Sequence, residues 1–236
     1  MALQTIKLQD GTEITIGEWS SWPAYSSFEG NKNAGVDQRL FSYLVGERIP
    51  QTTPPPVTGP RSSSPADTNW KARGRVNQDE SYVWFSMTYE LFALENNQPF
   101  ANNPPDLEAT SPIFTGTNHR ILQRDMLVQL VVGAGIEKPQ VEGPLESFGQ
   151  GPGAPAFGSG NPLLINQGAA TQLELNYGTG GKPTPRNQYG WVMPVYVPSD
   201  RVTKLNINTP NGPMAGLDQD YLLRMMVDGI KRRPVA

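Results

Sequence analysis

Between Ser81 and Leu94 the chain reads SYVWFSMTYELFAL, and every odd position from Val83 to Ala93 is apolar: Val83, Phe85, Met87, Tyr89, Leu91 and Ala93. A period of two is the mark of extended chain. Wound as a helix, the same residues would place apolar groups all round with no polar stripe, and the aromatic and β-branched content also favours strand. The even row, Tyr82, Trp84, Ser86, Thr88, Glu90 and Phe92, is mixed. The pattern predicts one long central strand with its odd face fully buried and its even face partly buried. Tyr82, Trp84 and Phe92 then need cover from the N-terminal hairpin, the C-terminal helix or a neighbouring subunit.

Other segments repeat the β signal. A three-residue loop at Gln9, Asp10 and Gly11 would set Lys7 opposite Glu13 and Ile6 opposite Ile14, which makes Leu3 to Leu8 and Glu13 to Glu18 a hairpin. Further strands are expected at Trp70 to Val76, His119 to Val132, Gln172 to Tyr177, Trp191 to Val197 and Val202 to Asn208. In Trp191 to Val197, the seventh of eight strand segments, Pro194 and the following Pro198 argue for an edge position or a bulge. Two helices are expected. Leu40, Phe41, Leu44 and Val45 form an apolar helical face between Asp37 and Val45, and Leu217 to Lys231 has Asp218 and Asp220 in its first turn and Lys231, Arg232 and Arg233 at its end.

The connections are long and rich in breakers. With 24 Gly and 23 Pro in 236 residues and only 17% charged residues, the composition favours turns and loops over long helices. The tract from Ile49 to Asn69 carries six prolines and reads as an extended arm or a disordered excursion. A second loop runs from Gly133 to about Pro162, a length that in compact domains usually serves binding or assembly. We expect a single domain over 1–236: a hairpin and short helix in 1–50 packed on the rest, the Pro/Ser-rich arm in 50–69, the main β region in 70–210, and a helix with a basic tail in 211–236.

Chemistry is sparse by comparison. No cysteine is present, which excludes disulfides, thiolate metal sites and cysteine nucleophiles and fits assembly in the cytosol. No basic segment followed by an apolar run opens the chain, so no export signal is expected. The net charge of -3 provides no global field for nucleic acid or anionic membrane. His119 is the one histidine, and a polar residue at a strand entrance is the expected role. Asp79/Glu80, Asp106/Glu108 and Glu142/Glu146 lie in polar turns where acids are ordinary. GTGGKPT, from Gly178 to Thr184, departs from a phosphate loop, because Asn176 stands where glycine is required and Pro183 where Ser or Thr is. No catalytic residue, metal site or cofactor is expected, and the chain is read as a non-enzyme.

Two groups remain as candidate contacts. Trp19, Trp22, Tyr25 and Phe28 put four aromatics in ten residues, suited to a partner or glycan surface, or to a loop folded back over the core. Arg224, Lys231, Arg232 and Arg233 suit assembly or an anionic partner such as genome or lipid headgroups. Lys71, Arg73 and Arg75 alternate along WKARGRV and are expected to be solvated or paired with carboxylates.

Eight strands, long loops and a cysteine-free, Pro/Gly-rich composition suit an all-β, antiparallel two-sheet sandwich of jelly-roll type with the short N-terminal-region helix and the C-terminal helix. In architecture and composition the chain resembles the jelly-roll coat proteins of icosahedral viruses and phages. The resemblance implies a self-assembling virion subunit, made in the host cytoplasm, whose partners are copies of itself and other virion proteins. The alternative on the same scaffold is a carbohydrate-binding module using Trp19, Trp22 and Tyr25.

Overall fold

The computed structural model describes residues 5–7, 13–15, 19–56, 58–94, 116–133, 138–150, 155–159, 176–180, 189–217 and 220–232. Two antiparallel sheets pack as a sandwich, with little helix. The larger sheet is ordered β12 (Tyr189–Val197), β6 (Ser81–Ala93), β14 (Tyr221–Arg232) and then β3 (Trp19–Ser21), with β4 (Ala24–Gly30) also on β14 and β9 (Gly149–Gln150) on β6. The smaller sheet is ordered β5 (Asp37–Leu40), β13 (Thr203–Asn208), β7 (Leu127–Val132) and β8 (Val141–Pro144). Two separate pairs complete the described strands: β1 (Thr5–Lys7) with β2 (Glu13–Thr15), and β10 (Pro155–Ser159) with β11 (Asn176–Gly180). The first pair has the register the sequence predicts, Lys7 opposite Glu13 and Ile6 opposite Ile14.

The long strand β6 is central, as expected, but its two faces exchange in the middle. Asp228 lies opposite Ser86 and Gly229 opposite Trp84, so Phe85 is an extra residue in β6. Such a bulge shifts the alternation by one. Tyr82 and Trp84 before it, and Met87 and Tyr89 after it, consequently share one core cluster with Leu205, Ile207 and Leu130 of the other sheet. The all-odd face predicted for Val83 to Ala93 is thereby corrected, and Tyr82 and Trp84 find their cover between the sheets. Phe92, on the outward row, stays 44% exposed. The same bulge affects the neighbour: Gly190 and Val195 of β12 lie opposite Ser86 and Trp84. Pro194 of β12 thus marks both an edge strand, among the described residues, and a bulge.

Other expectations fail for identifiable reasons. The predicted C-terminal helix is strand β14, inserted between β4 and β6. A strand covered on both faces needs apolar residues on both, so YLLRMMV loses the alternation that would have distinguished it from a helix. The predicted helix at Asp37 to Val45 is strand β5, after which Phe41 takes a positive φ of 61° and turns the chain. Its ring stacks beside Trp70 at 4.6 Å and Trp84 at 6.1 Å, so core packing holds the turn. The predicted strand His119 to Val132 divides into helix α1 (Gly116–Asp125) and β7. Leu122 and Met126, four apart, are buried at the end of the helix, and true alternation begins only with Val128 and Leu130. Trp70 to Val76 forms turns with a single bridge from Arg75 to Val202. Leu173 and Leu175 lie outside the described residues, and β11 begins at Asn176.

Candidate functional site

The two groups of candidate contacts, far apart in sequence, are brought together by β14. Arg232 lies opposite Trp19 and Lys231 opposite Ser20 on β3, while Arg224 lies opposite Ser27 on β4. Lys231 Nζ sits 5.0 Å from the Trp22 ring centre, and the Arg224 guanidinium 5.9 Å from Tyr25 and 5.3 Å from Phe92. Both cations also hold a carboxylate. Arg224 donates to Glu90 at 2.7 Å, and buried Lys231 donates to Glu80 at 2.5 Å. Around Glu80, burial opposes the charge, but Lys231, the Tyr82 hydroxyl and Lys71 outweigh it and hold the carboxyl below its usual range. Cation–π contacts of this kind contribute about 0.5–2 kcal/mol each.

The aromatic stretch is therefore two strands and not a loop. Phe28 is fully buried, edge-on to Tyr221 at 6.0 Å, which removes it from any contact surface. Trp22 packs against the core. Tyr25 donates its hydroxyl to the Pro65 carbonyl at 2.5 Å, and Trp19 is half-buried at the start of β3. Arg232 is exposed, and Arg233 lies outside the described residues.

The proline-rich tract is an ordered cover over the free edge of β4, which corrects the expected extended or disordered arm. Glu29 N–H donates to the Pro50 carbonyl at 2.9 Å, Thr52 N–H to the Glu29 carbonyl at 3.1 Å, and Asn69 N–H to the Tyr25 carbonyl at 3.3 Å. Backbone groups that would otherwise invite another strand are thus satisfied within the chain. Arg61 pins the cover. Its Nε donates to fully buried Glu29 at 2.5 Å, and its two terminal nitrogens grip Asp67 at 2.8 and 2.9 Å. Burial disfavours the Asp67 carboxylate, but Arg61 and the backbone N–H and hydroxyl of Ser64 more than offset this and lower its pKa to about 2. Gln51 Nε2 adds a 2.8 Å bond to Glu29. Sequence reasoning missed this cluster, although a lone arginine in a Pro/Ser tract, with few acids within reach in the chain, was a usable signal.

The alternating cations of WKARGRV are carboxylate-paired, as expected, though not on a strand: Lys71 with Glu80 at 3.2 Å, Arg73 with Glu47, and Arg75 with Asp200 at 3.3 Å. Glu142 accepts from Gln129 at 3.0 Å, Glu146 sits in a short 3-10 turn, and Asp106 and Glu108 lie outside the described residues. Gly178 to Gly180 end β11, and the rest of GTGGKPT also lies outside them. Among the described residues no three His, Cys, Asp or Glu side chains gather as a metal site.

Helix α1 contributes the remaining polar geometry. His119, 5% exposed, lies against Tyr89 with ring centres 5.9 Å apart, and among the described residues neither ring nitrogen has a hydrogen-bond partner. Outside it, Arg120, Ile121, Gln123, Arg124 and Glu146 line an open cavity of about 600 Å³. Arg124 is engaged there by the adjacent Asp125 at 2.6 Å.

No protein-family model, curated protein or solved structure matches the chain. Its chemistry must be argued from this geometry alone, in which the conspicuous charges and aromatics serve mainly to hold strands and cover together.

Proposed function

We propose that the protein is a jelly-roll virion subunit, a structural and non-catalytic chain that assembles with copies of itself and with other virion proteins in the host cytoplasm. The observation that carries the reading is connectivity. Numbering β4, β5, β6, β7, β8, β12, β13 and β14 as eight successive strands, the sheets run 1-8-3-6 and 2-7-4-5. The chain crosses from one sheet to the other at every step except the one from β7 to β8. This connectivity supports the jelly-roll reading, an arrangement used by viral coats, lectins and cupins. The fold alone does not choose among them.

Two observations favour the shell over the glycan-binding module. Two of the three aromatics suggested for glycan stacking are engaged internally: Trp22 beneath Lys231, and Tyr25 between Arg224 and Pro65. The edges of the larger sheet are also guarded, β4 by the Arg61-pinned cover and β12 by its bulge and Pro194. A subunit kept at high local concentration needs such guards to channel contacts away from open-ended strand pairing. Two of the four cations suggested for an anionic partner, Arg224 and Lys231, are held by Glu90 and Glu80.

Size-exclusion chromatography with light scattering, followed by electron microscopy of the heaviest fraction, tests the proposal. Closed symmetric oligomers or particles are expected. A strict monomer at high concentration that binds a glycan array, with binding lost in Trp22→Ala, would overturn it in favour of the carbohydrate module.

A further inference from the structure

The buried imidazole of His119 is the one ionisable group on the inner side of α1 that neither the sandwich nor the proposed assembly explains. The helix packs against the 3-10 turn Leu145–Ser147 and against β8. It leads directly into β7, and Leu145 of the 3-10 turn donates its N–H to the Met126 carbonyl at 2.9 Å, tying the helix end to β8. Leu122 and Met126 are buried beneath it, and His119 lies against Tyr89 of β6.

The surroundings of the ring suit a neutral imidazole. From β6 the facing group is the Tyr89 phenol, itself pushed up to about 12 by burial and by the nearby Glu146 charge. From α1 it is Gln123, whose Nε2 is committed to the Tyr89 hydroxyl at 2.5 Å. Gln123 slightly favours the charged ring, yet burial dominates and lowers the His119 pKa. Arg120 is exposed on the outer side of α1, and Arg124 is paired with Asp125. Glu146 sits on the 3-10 turn and acts on Tyr89. Among the described residues no carboxylate is hydrogen-bonded to the ring. A protonated ring would hold two N–H donors and a positive charge in a buried slot where, among the described residues, the Gln123 amide is the one group that favours the charge and no carboxylate is bonded to the ring, an arrangement that favours opening over staying closed.

We propose that α1 is an acid-releasable clamp: protonation of His119 expels the ring from its place on Tyr89 and detaches the helix from the sandwich. The sign follows from linkage. A histidine with a depressed folded pKa binds its proton more readily when released, so closure is strongest above the ordinary imidazole pKa of about 6.5 and weakens as pH falls below it. One proton taken up on opening gives about a tenfold rise in the open fraction per pH unit, until the folded pKa is reached. The proposal concerns the single chain and stands independently of the shell reading.

Hydrogen exchange of the α1 amides between pH 7.5 and 5, corrected for the intrinsic pH dependence of exchange, tests it on the intact protein. In the wild type, protection of residues 116–126 is expected to be flat above about pH 7 and to fall up to tenfold per unit below 6.5, ahead of the sheets. In His119→Phe, which keeps an aromatic ring against Tyr89, and in His119→Gln the fall should vanish. Equal slopes in wild type and variants would overturn the clamp. Should neither variant fold, the imidazole proton resonances decide, and they are unambiguous because the chain has one histidine. A titration at about 6.5 with unchanged α1 protection refutes the proposal, and a lowered midpoint that coincides with loss of α1 protection supports it.

Discussion

Replacing Gly229 by alanine tests the bulge that organises the larger sheet. A Cβ at this position would lie 2.2 Å from the Val83 carbonyl oxygen, 2.8 Å from Trp84 Cδ1 and 3.0 Å from Trp84 Cα. The closest of these is about 1 Å inside ordinary contact and involves backbone, which cannot rotate away. Relief requires β6 and β14 to separate beside Phe85 or the Trp84 indole to leave the core. Overpacking usually costs about 1–3 kcal/mol, and a backbone clash in the central pair of strands belongs at the upper end, about 3 kcal/mol. Against this, restricting the unfolded chain by Gly→Ala stabilises by about 0.4–1 kcal/mol where the site has room. The sign of the net effect is thus decided by geometry. Urea unfolding followed by tryptophan fluorescence reads it: with a slope of about 3 kcal/mol per molar, the midpoint should fall by about 1 M. Gly143→Ala is the matched control, because its Cβ would meet Ser147 at an ordinary 3.4 Å. A Gly229→Ala variant as stable as wild type, or more stable, would refute the register and with it the face exchange in β6.

Two further outcomes are expected from the buried charges. Asp67 has a folded pKa lowered to about 2, so its stabilising contribution is complete above the unfolded value of about 3.9 and is lost as pH falls from there through 2. Asp67→Asn should flatten the acid limb of thermal stability between about pH 4 and 2, and Arg61→Ala should expose residues 47–69 to limited proteolysis; an unchanged acid limb would show that the pin contributes little. Lys231→Met leaves Glu80 buried with only Lys71 and Tyr82, and should cost about 3 kcal/mol, near the low end for a broken buried pair. The double variant Lys231→Met, Glu80→Gln should recover part of that loss in denaturant melts, and full additivity of the two single changes would argue against coupling.

Strands whose two faces differ in polarity were the ones legible in the sequence. The hairpin register at Lys7 and Glu13, the alternation of Thr203 to Asn208 and the edge character of Tyr189 to Val197 follow from side-chain period, turn residues and proline placement, all of them local properties. The candidate contacts were less legible. Trp22, Tyr25, Arg224 and Lys231 looked like surface anchors because a sequence displays composition, and cross-strand pairing between positions about 200 residues apart is invisible in it. His119 and its neighbours were misread as strand because Leu122, Met126, Val128 and Leu130 satisfy a period of two as well as the junction of a helix with a strand.

By itself, then, the sequence determined that the protein is a β-rich chain with a long central strand, one proline-marked edge, and neither thiol chemistry nor more than one histidine. Tertiary structure decided what each residue of that strand does. One extra residue at Phe85 moves Tyr82 and Trp84 into the core beside Met87 and Tyr89. The same packing makes YLLRMMV a strand: β4 and β6 pair with its two edges, Tyr221, Leu223, Met225 and Val227 enter the core, Leu222 packs with Tyr43 and Ile49, and this burial outweighs the modest helix preference of leucine, methionine and arginine.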